Sequence, residues 1–222
     1  MRFVAENTSI PVPKIHCAFE RKERTYIVME RISGQDLPSV WKNLSKSQTE
    51  RVFDQLRKMM DELRSLKPPA GMVGVQSVGG SLYDVRLPHG NPRFGPFVTQ
   101  QDFHRWLRKD FTMDDIENKE RLDEQDYVDL ENMIVKQEGK WPPPVFTHSD
   151  LNPFNILLRG DQVVGIVDWE SAGWYPQYWE YTSNWFGNRT KLEWQGTLCK
   201  FLDAYPEELK MEQVRNKWWG EW

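Results

Sequence analysis

Between positions 148 and 170 the chain reads His148-Ser149-Asp150-Leu151-Asn152-Pro153-Phe154-Asn155 and then, after a short gap, Ile166-Val167-Asp168-Trp169-Glu170. Pro153 favours a loop between Asp150 and Asn155, and Asp168 ends a short apolar strand. One carboxylate can accept the proton of a hydroxyl group, while an amide oxygen and a second carboxylate can hold Mg²⁺. These residue types therefore indicate transfer of a phosphoryl group from ATP to a hydroxyl.

A β-hairpin is predicted directly after this loop, because Arg159-Gly160-Asp161-Gln162 separates the apolar segments 155–158 and 163–167. The register of such a hairpin can bring Asn155 and Asp168 together at its open end, with Asp150 facing the acceptor hydroxyl. Each of these residues alone is better explained as a turn residue bonded to local backbone. Their combination with His148 favours a functional site.

Composition narrows the class of protein. The chain has 222 residues, of which 39% are hydrophobic and 28% charged, so a folded protein of one domain or two small lobes is expected. The net charge is -4 and no long run of Lys and Arg occurs, which speaks against a nucleic-acid partner. No apolar run approaches the roughly 20 residues of a membrane helix. With only Cys17 and Cys199 and no apolar signal core, a cytoplasmic location is expected.

The order of predicted elements is strands first, then mainly helices. The predicted segments are the end of a helix over 1–7, strands over 14–20 and 24–31, a helix that begins at a capping box over 47–50, a loop with Gly79-Gly80 over 70–98, helices after Thr99 and over 123–138, a strand over 145–147, and two to four helices over 178–222. In the second strand, the run from Tyr26 to Met29 is predicted to be buried.

The motif His148-x-Asp150-x-x-x-x-Asn155, with Ile-Val-Asp168-Trp-Glu170, resembles the catalytic and metal segments of the aminoglycoside phosphotransferase and choline kinase families. Pro11-Val12-Pro13, the Ile27-Val28-Met29-Glu30 strand and Gly34 resemble the same families, while Gly95-Pro96-Phe97 and the segment 173–180 resemble their fungal members. The resemblance runs from about residue 3 to about residue 210. It implies an α+β, protein-kinase-like fold with a mostly helical C-terminal lobe, residues 34–222, and a truncated N-terminal β lobe with its hinge, residues 1–33.

The resemblance also implies a role for each matching residue. Asp150 corresponds to the catalytic base, Asn155 and Asp168 to the Mg²⁺ ligands, and His148 to a histidine that supports the loop. The hinge, whose backbone would meet the adenine of ATP, corresponds to Met29, Glu30, Arg31 and Ile32.

The Gly-rich strand pair and the strand Lys that precede Pro-Val-Pro in the family cannot be read in this chain. In that family they position the α- and β-phosphates, so the chain as written is expected to be a weak kinase at best.

The expected acceptor is a small hydroxylated molecule, because acidic and aromatic residues suit a compact polar or cationic ligand. The residues predicted to contact it are Glu170, Trp169, Trp174 and Tyr175. The alternative for each Trp is that it packs in the helical lobe, and for any single Trp this alternative is favoured.

Three functions remain open at this stage. The first is a Mg²⁺- and ATP-dependent small-molecule O-phosphotransferase, supported by the complete set Asp150, Asn155 and Asp168. The second is a pseudokinase that binds a nucleotide or metabolite, supported by the missing phosphate loop. The third is an enzyme of another reaction class built on the same fold, since fold does not fix function. The acceptor and the oligomeric state are left open.

Overall fold

The computed structural model describes residues 1–71, 74–84, 86–87, 93–117, 122–188 and 192–220. They form two compact units. Unit 1 comprises Met1–Leu66, His148–Trp169 and Ser183–Asp203, and unit 2 comprises Lys67–Thr147, Glu170–Thr182 and Ala204–Trp222. The predicted catalytic loop and residues 1–33 therefore belong to the same unit. The predicted division into lobes after residue 33 does not coincide with a boundary between these units, and it stays a prediction.

Helices make up much of both units. Within the described ranges the α-helices are α1 (Arg2–Asn7), α2 (Leu37–Val40), α3 (Lys46–Ser65), α4 (Gln100–Leu107), α5 (Met113–Glu117), α6 (Glu124–Glu138), α7 (Trp179–Gly187), α8 (Leu192–Gln195) and α9 (Pro206–Trp219). No described helix combines the length and the apolar character needed to cross a membrane. The helices predicted after Thr99 and over 123–138 are present.

The strands pair in small antiparallel sheets. They are β1 (Ile15–Arg21), β2 (Arg24–Met29), β3 (Gln35–Asp36), β4 (Leu82–Tyr83), β5 (Arg93–Phe94), β6 (Val145–Thr147), β7 (Ile156–Arg159), β8 (Gln162–Ile166) and β9 (Gly173–Tyr175). The sheets are β1–β2, β3–β7–β8, β4–β5 and β6–β9. The predicted hairpin is β7–β8. Small antiparallel sheets occur together with many helices, so the mixed α+β class and the small β lobe expected from the sequence are confirmed.

Helix α3 begins two residues earlier than predicted. The predicted capping box started at Ser47, but Ser45 is the N-cap. The Gln48 N–H donates to Ser45 Oγ at 3.3 Å, and the Ser45 N–H donates to Gln48 Oε1 at 2.9 Å. The sequence contains two overlapping Ser-x-x-acid-or-amide patterns here, and the first of them forms the capping box.

Helix α3 supports the tip of the β7–β8 hairpin. The Gln55 side chain donates to Asp161 O at 2.8 Å and accepts the Val163 N–H at 3.0 Å. Arg51 Nε donates to Asp161 Oδ2 at 2.7 Å. On its apolar side α3 buries Leu56 and other core residues. The hairpin is therefore fixed at its turn by side chains of a long, packed helix.

The apolar run in β2 is exposed, so its predicted burial is wrong. Ile27 and Val28 are each 46% exposed, and Phe19 on β1 stacks on Tyr26 with ring centroids 5.3 Å apart. Strands β1 and β2 form a two-stranded sheet, and among the described residues no second layer buries either face. An apolar run buries itself only when another layer packs on it, and a run of residues does not specify that layer.

A buried polar cluster lies inside unit 2, on helices α4, α6 and the segment before α7. His104 is fully buried, with Nδ1 3.2 Å from Gln137 O and Nε2 2.9 Å from the Tyr178 hydroxyl oxygen. A carbonyl only accepts, so Nδ1 donates to it and Nε2 accepts the Tyr178 hydroxyl proton. Burial lowers the pKa of His104 to about 3. The imidazole is therefore neutral and holds three elements together.

We expect the protein to lose stability as the pH falls from about 6.5, the usual histidine pKa, towards the folded-state pKa of about 3. In this window the unfolded state binds a proton that folded His104 does not. The loss is on the order of 4–5 kcal/mol across the window. Denaturant unfolding between pH 7 and pH 3 measures it, and His104→Gln should flatten the acid slope.

The exposed His16 provides the matched control. His16→Gln should keep the wild-type slope. Equal acid slopes for wild type and His104→Gln would show that other groups control acid unfolding.

Candidate active site

His148 joins the predicted catalytic loop to the end of β8. Its side chain is fully buried, and its Nδ1 accepts the Asp150 N–H at 3.2 Å. Nε2 therefore carries the proton and donates to Val167 O at 2.9 Å. The ring packs on Trp169, with centroids 4.4 Å apart. His148 is therefore buried, and both of its ring nitrogens are bonded to backbone groups within unit 1.

Asn155 is directed towards Asp150. Its Nδ2 donates to the Asp150 backbone oxygen at 2.8 Å and lies 3.2 Å from Asp150 Oδ2. The Asn155 side chain is buried, and Asp150 is half-buried. The amide thus orients one oxygen of the Asp150 carboxylate, while Asn155 Oδ1 remains the atom of that side chain that can bind a cation.

The strand ends bring Asp168 beside Asn155. Ile156 pairs with Ile166 in the hairpin, and the Val167 N–H donates to Asn155 O at 3.0 Å. Asp168 follows at the open end of the hairpin, and its side chain is exposed. The backbones of Asn155 and Val167 therefore meet at the open end of the hairpin, with Asp168 the next residue, and the binding of Mg²⁺ by Asn155 and Asp168 stays a prediction.

Two residues of this region have left-handed backbone conformations. Ser149 has a φ of 71° and Asp168 a φ of 63°. Such conformations cost on the order of 1–3 kcal/mol for residues other than glycine, and they persist where surrounding contacts fix the backbone. Here the His148 bonds on either side supply those contacts.

An amide oxygen and a carboxylate suit Mg²⁺, which keeps several waters and takes phosphate oxygens rather than a full protein cage. Within the described ranges, no group of three or more His, Cys, Asp or Glu side chains could hold a metal ion.

The predicted hinge follows β2. The Glu30 N–H donates to Lys14 O at 2.8 Å, and Glu30 Oε2 accepts the Lys14 N–H at 3.2 Å. The Gly34 N–H donates to Ile32 O at 3.1 Å. The Glu30 C=O and the Ile32 N–H make no hydrogen bond to the residues that the structure describes. One acceptor and one donor, two residues apart, are therefore open on this segment. Met29 and Arg31 are exposed.

The predicted substrate-contacting residues differ in accessibility. Trp169 is buried and donates its Nε1–H to Ile166 O at 2.8 Å. Trp174 is 1% exposed and lies edge-on to Phe146, and Tyr175 is fully buried and donates to Ser171 O at 3.1 Å. Glu170 is exposed. These aromatic rings pack in the cores of their units, so only Glu170 of the four is accessible to a substrate without movement of the protein.

Three residues near the hinge were not singled out as site residues from the sequence. Arg159 donates to Ser33 O, while Gly34 and Gly165 allow close contact between the hinge segment and the β7–β8 hairpin. One signal was available for Gly165, because an isolated glycine inside an apolar strand indicates close approach of another segment.

A model of the phosphotransferase enzyme family matches residues 1–211 of the chain. A comparison with curated protein sequences found no match. Solved structures of similar fold include a thermostable mutant of aminoglycoside phosphotransferase APH(4)-Ia in a ternary complex with AMP-PNP and hygromycin B. The TM-score is 0.61 at 19% identity, over 96% of this chain and 70% of that chain.

Two further structures are similar. The streptomycin–ATP–APH(2″)-IIa ternary complex matches with a TM-score of 0.52 at 16% identity, over 96% of this chain and 67% of that chain. The GDP complex of a mutant of the aminoglycoside 2′-phosphotransferase IIIa matches with a TM-score of 0.56 at 16% identity, over 97% of this chain and 68% of that chain. At these identities the likeness shows the fold, which is the one predicted from the motif. The resemblance to fungal members stays a prediction.

Proposed function

Since the chain belongs to the phosphotransferase enzyme family, we propose that it transfers the γ-phosphoryl group of ATP, with Mg²⁺, to a hydroxyl of a small molecule. One observation carries this proposal. Asp150, Asn155 and the strand end before Asp168 are joined by hydrogen bonds through His148 and Asn155 within a single unit. The arrangement supplies one proton acceptor and two oxygen ligands, which is the set that phosphoryl transfer uses.

In the proposed reaction, the acceptor oxygen forms a bond to the γ-phosphorus while the bond from that phosphorus to the ADP oxygen breaks. Asp150 orients the acceptor hydroxyl and receives its proton. Asn155 holds the Asp150 carboxylate in place, because its Nδ2 donates to Asp150 Oδ2. Mg²⁺, when bound, would neutralise charge on the phosphate oxygens. Asn155 Oδ1 and the Asp168 carboxylate are the groups that would hold it.

The hinge supports a preference for adenine. An adenine edge presents an amino donor beside a ring-nitrogen acceptor, so it complements the open Glu30 C=O and Ile32 N–H. A guanine presents the opposite order on the corresponding edge. ATP is therefore the proposed phosphoryl donor in preference to GTP.

The acceptor is proposed to be small, hydroxylated and cationic. The exposed Glu170 carboxylate, two residues after Asp168, is suited to a cationic group. Aminoglycosides, which combine hydroxyl and ammonium groups, are bound in solved structures of similar fold. A compact amino alcohol has the same two features, so both classes are candidates.

Nucleotide binding without efficient transfer is the second candidate function. The observation in its favour is that no Gly-rich phosphate loop can be read in the 222 residues. Removing one preorganised donor typically lowers a rate by about 10²–10³-fold. Transfer by this chain alone is therefore expected to be slow even if the Asp150 loop is competent.

The test is calorimetric titration of the chain with ATP and GTP, with and without Mg²⁺, followed by transfer assays. We expect ATP binding that Mg²⁺ strengthens, weaker GTP binding, and slow phosphorylation of an aminoglycoside or amino alcohol. The preference for ATP follows from the Glu30 C=O and the Ile32 N–H of the hinge. The effect of Mg²⁺ follows from the proposed metal ligands, and phosphorylation of the acceptor follows from Asp150.

Binding of ATP without transfer to any member of the acceptor panel would favour the second candidate function. An absence of ATP binding, both with and without Mg²⁺, would remove both candidates.

A further inference from the structure

The segment that follows the hinge is attached to the hairpin that ends in the proposed metal ligands. Strand β3 pairs with β7, with Gln35 opposite Leu158 and Asp36 opposite Leu157. Just before β3, Arg159 Nη2 and Nε donate to Ser33 O at 2.8 Å and 3.1 Å. The chain from Ser33 to Asp36 is therefore fixed to one edge of the hairpin.

Two glycines make this attachment unusually close. A Cβ placed on Gly165 would lie 2.5 Å from Ile32 Cδ1. A Cβ placed on Gly34 would lie 2.9 Å from Val164 Cγ2 and 3.1 Å from Leu158 O. Any larger residue at either position would have to move its neighbour. The Ile32 side chain thus rests directly on the backbone of β8 at Gly165.

Strand β8 contacts Ile32 at Gly165, and Asp168 follows Gly165 by three residues. Its partner β7 begins directly after Asn155. The three-stranded sheet β3–β7–β8 therefore connects Ile32, whose N–H is open, to both proposed metal ligands within unit 1. A nucleotide that engages the hinge and the metal together has to match the spacing that this sheet sets.

We propose that Gly165 and Gly34 are positioning residues for the nucleotide, because they set the depth at which the base-binding backbone lies relative to Asn155 and Asp168. This inference rests on the proposed function, since it takes the hinge as the base site and the hairpin end as the metal site. A methyl group at position 165 would meet Ile32 Cδ1, so the Ile32 side chain has to shift, and we expect the base-binding backbone of this residue to shift with it. The metal end, held by the His148 bonds, stays in place.

Gly165→Ala tests the proposal with two partial ligands. We expect about tenfold weaker binding of adenosine and of Mg²⁺–ATP, the scale typical of overfilling a packed contact by one methyl group. Binding of Mg²⁺ with inorganic tripolyphosphate, which lacks a base, should be unchanged. Calorimetric titration measures all three, and circular dichroism checks that the variant is folded.

A compensating change separates positioning from a general loss of structure. Ile32→Val removes the Cδ1 atom that the new methyl group would meet, so Gly165→Ala with Ile32→Val should recover most of the adenosine affinity. Ile32→Val alone provides the reference for the double variant. Gly79→Ala is the matched control, because a Cβ there meets only Ser77 Oγ at 3.8 Å.

The outcomes distinguish the two proposals. If wild type binds ATP and adenosine, and Gly165→Ala binds adenosine equally well, the positioning role is overturned. The same holds if adenosine and tripolyphosphate binding fall together, or if Ile32→Val brings no recovery. Should Gly165→Ala not fold, Gly34→Ala tests the second close contact between this segment and the hairpin, with Val164 and Leu158, and the same pattern is expected. If wild type binds none of these ligands, the proposed function fails first and takes this inference with it.

Discussion

Asp150→Asn is expected to lower the rate of phosphoryl transfer by about 10²–10⁴-fold, the range that a general base contributes. Asparagine keeps the size of the side chain. It also keeps an oxygen that can face Asn155 Nδ2, which lies 3.2 Å from Asp150 Oδ2 in the wild-type protein. It cannot receive the proton of the acceptor hydroxyl. Affinity for Mg²⁺–ATP should change little, because the proposed metal ligands are Asn155 and Asp168. Initial-rate assays with the best acceptor and calorimetry with Mg²⁺–ATP measure the two effects separately.

Asp54→Asn is the matched control for this experiment. Asp54 is an exposed carboxylate on α3 in the same unit, and its removal should leave the transfer rate unchanged. Transfer by Asp150→Asn at close to the wild-type rate would remove Asp150 from the mechanism. A parallel loss of transfer and nucleotide affinity would instead assign it to the metal site.

For Asp168→Asn we expect loss of the Mg²⁺ dependence of ATP binding, with at least about 100-fold weaker affinity for the metal–nucleotide complex. Altering even the supporting groups of a metal ligand typically costs 10–100-fold, and here a charged ligand itself is removed. Asparagine is preferred to alanine because it tolerates the left-handed backbone at a φ of 63°. The fold should therefore survive the change.

The measurement for Asp168→Asn is ATP titration at several Mg²⁺ concentrations, with circular dichroism and thermal unfolding as checks of the fold. Asp54→Asn again controls for loss of one negative charge on unit 1. A folded Asp168→Asn protein whose ATP affinity still rises with Mg²⁺ as in wild type would contradict the metal assignment.

Features that depend on near neighbours in the chain were predictable. The β7–β8 hairpin followed from its turn residues, and helix α6 begins after the Asp123 cap, whose side chain accepts the Asp126 N–H at 2.7 Å. The cap at Thr99 likewise accepts the Asp102 N–H at 3.0 Å. Such hydrogen bonds join residues two to four positions apart, so their geometry is encoded locally.

Burial was harder to predict. The apolar run of β2 is exposed, while Trp174 and Tyr175, expected to face a substrate, are buried among other rings. Both outcomes depend on whether another element packs over a residue. Hydrophobicity measures the gain from such packing but does not specify the partner.

By itself, the sequence determined the residue types of the candidate site, their loop and hairpin, and the family that they indicate. Only the tertiary structure showed that His148 links Asp150 to the strand before Asp168, and that Ile32 lies on Gly165. The physical reason is distance along the chain. Local hydrogen bonds and turns are specified by adjacent residues. Contacts between distant segments form only when the whole chain folds, because the entropy lost in loop closure has to be offset by packing.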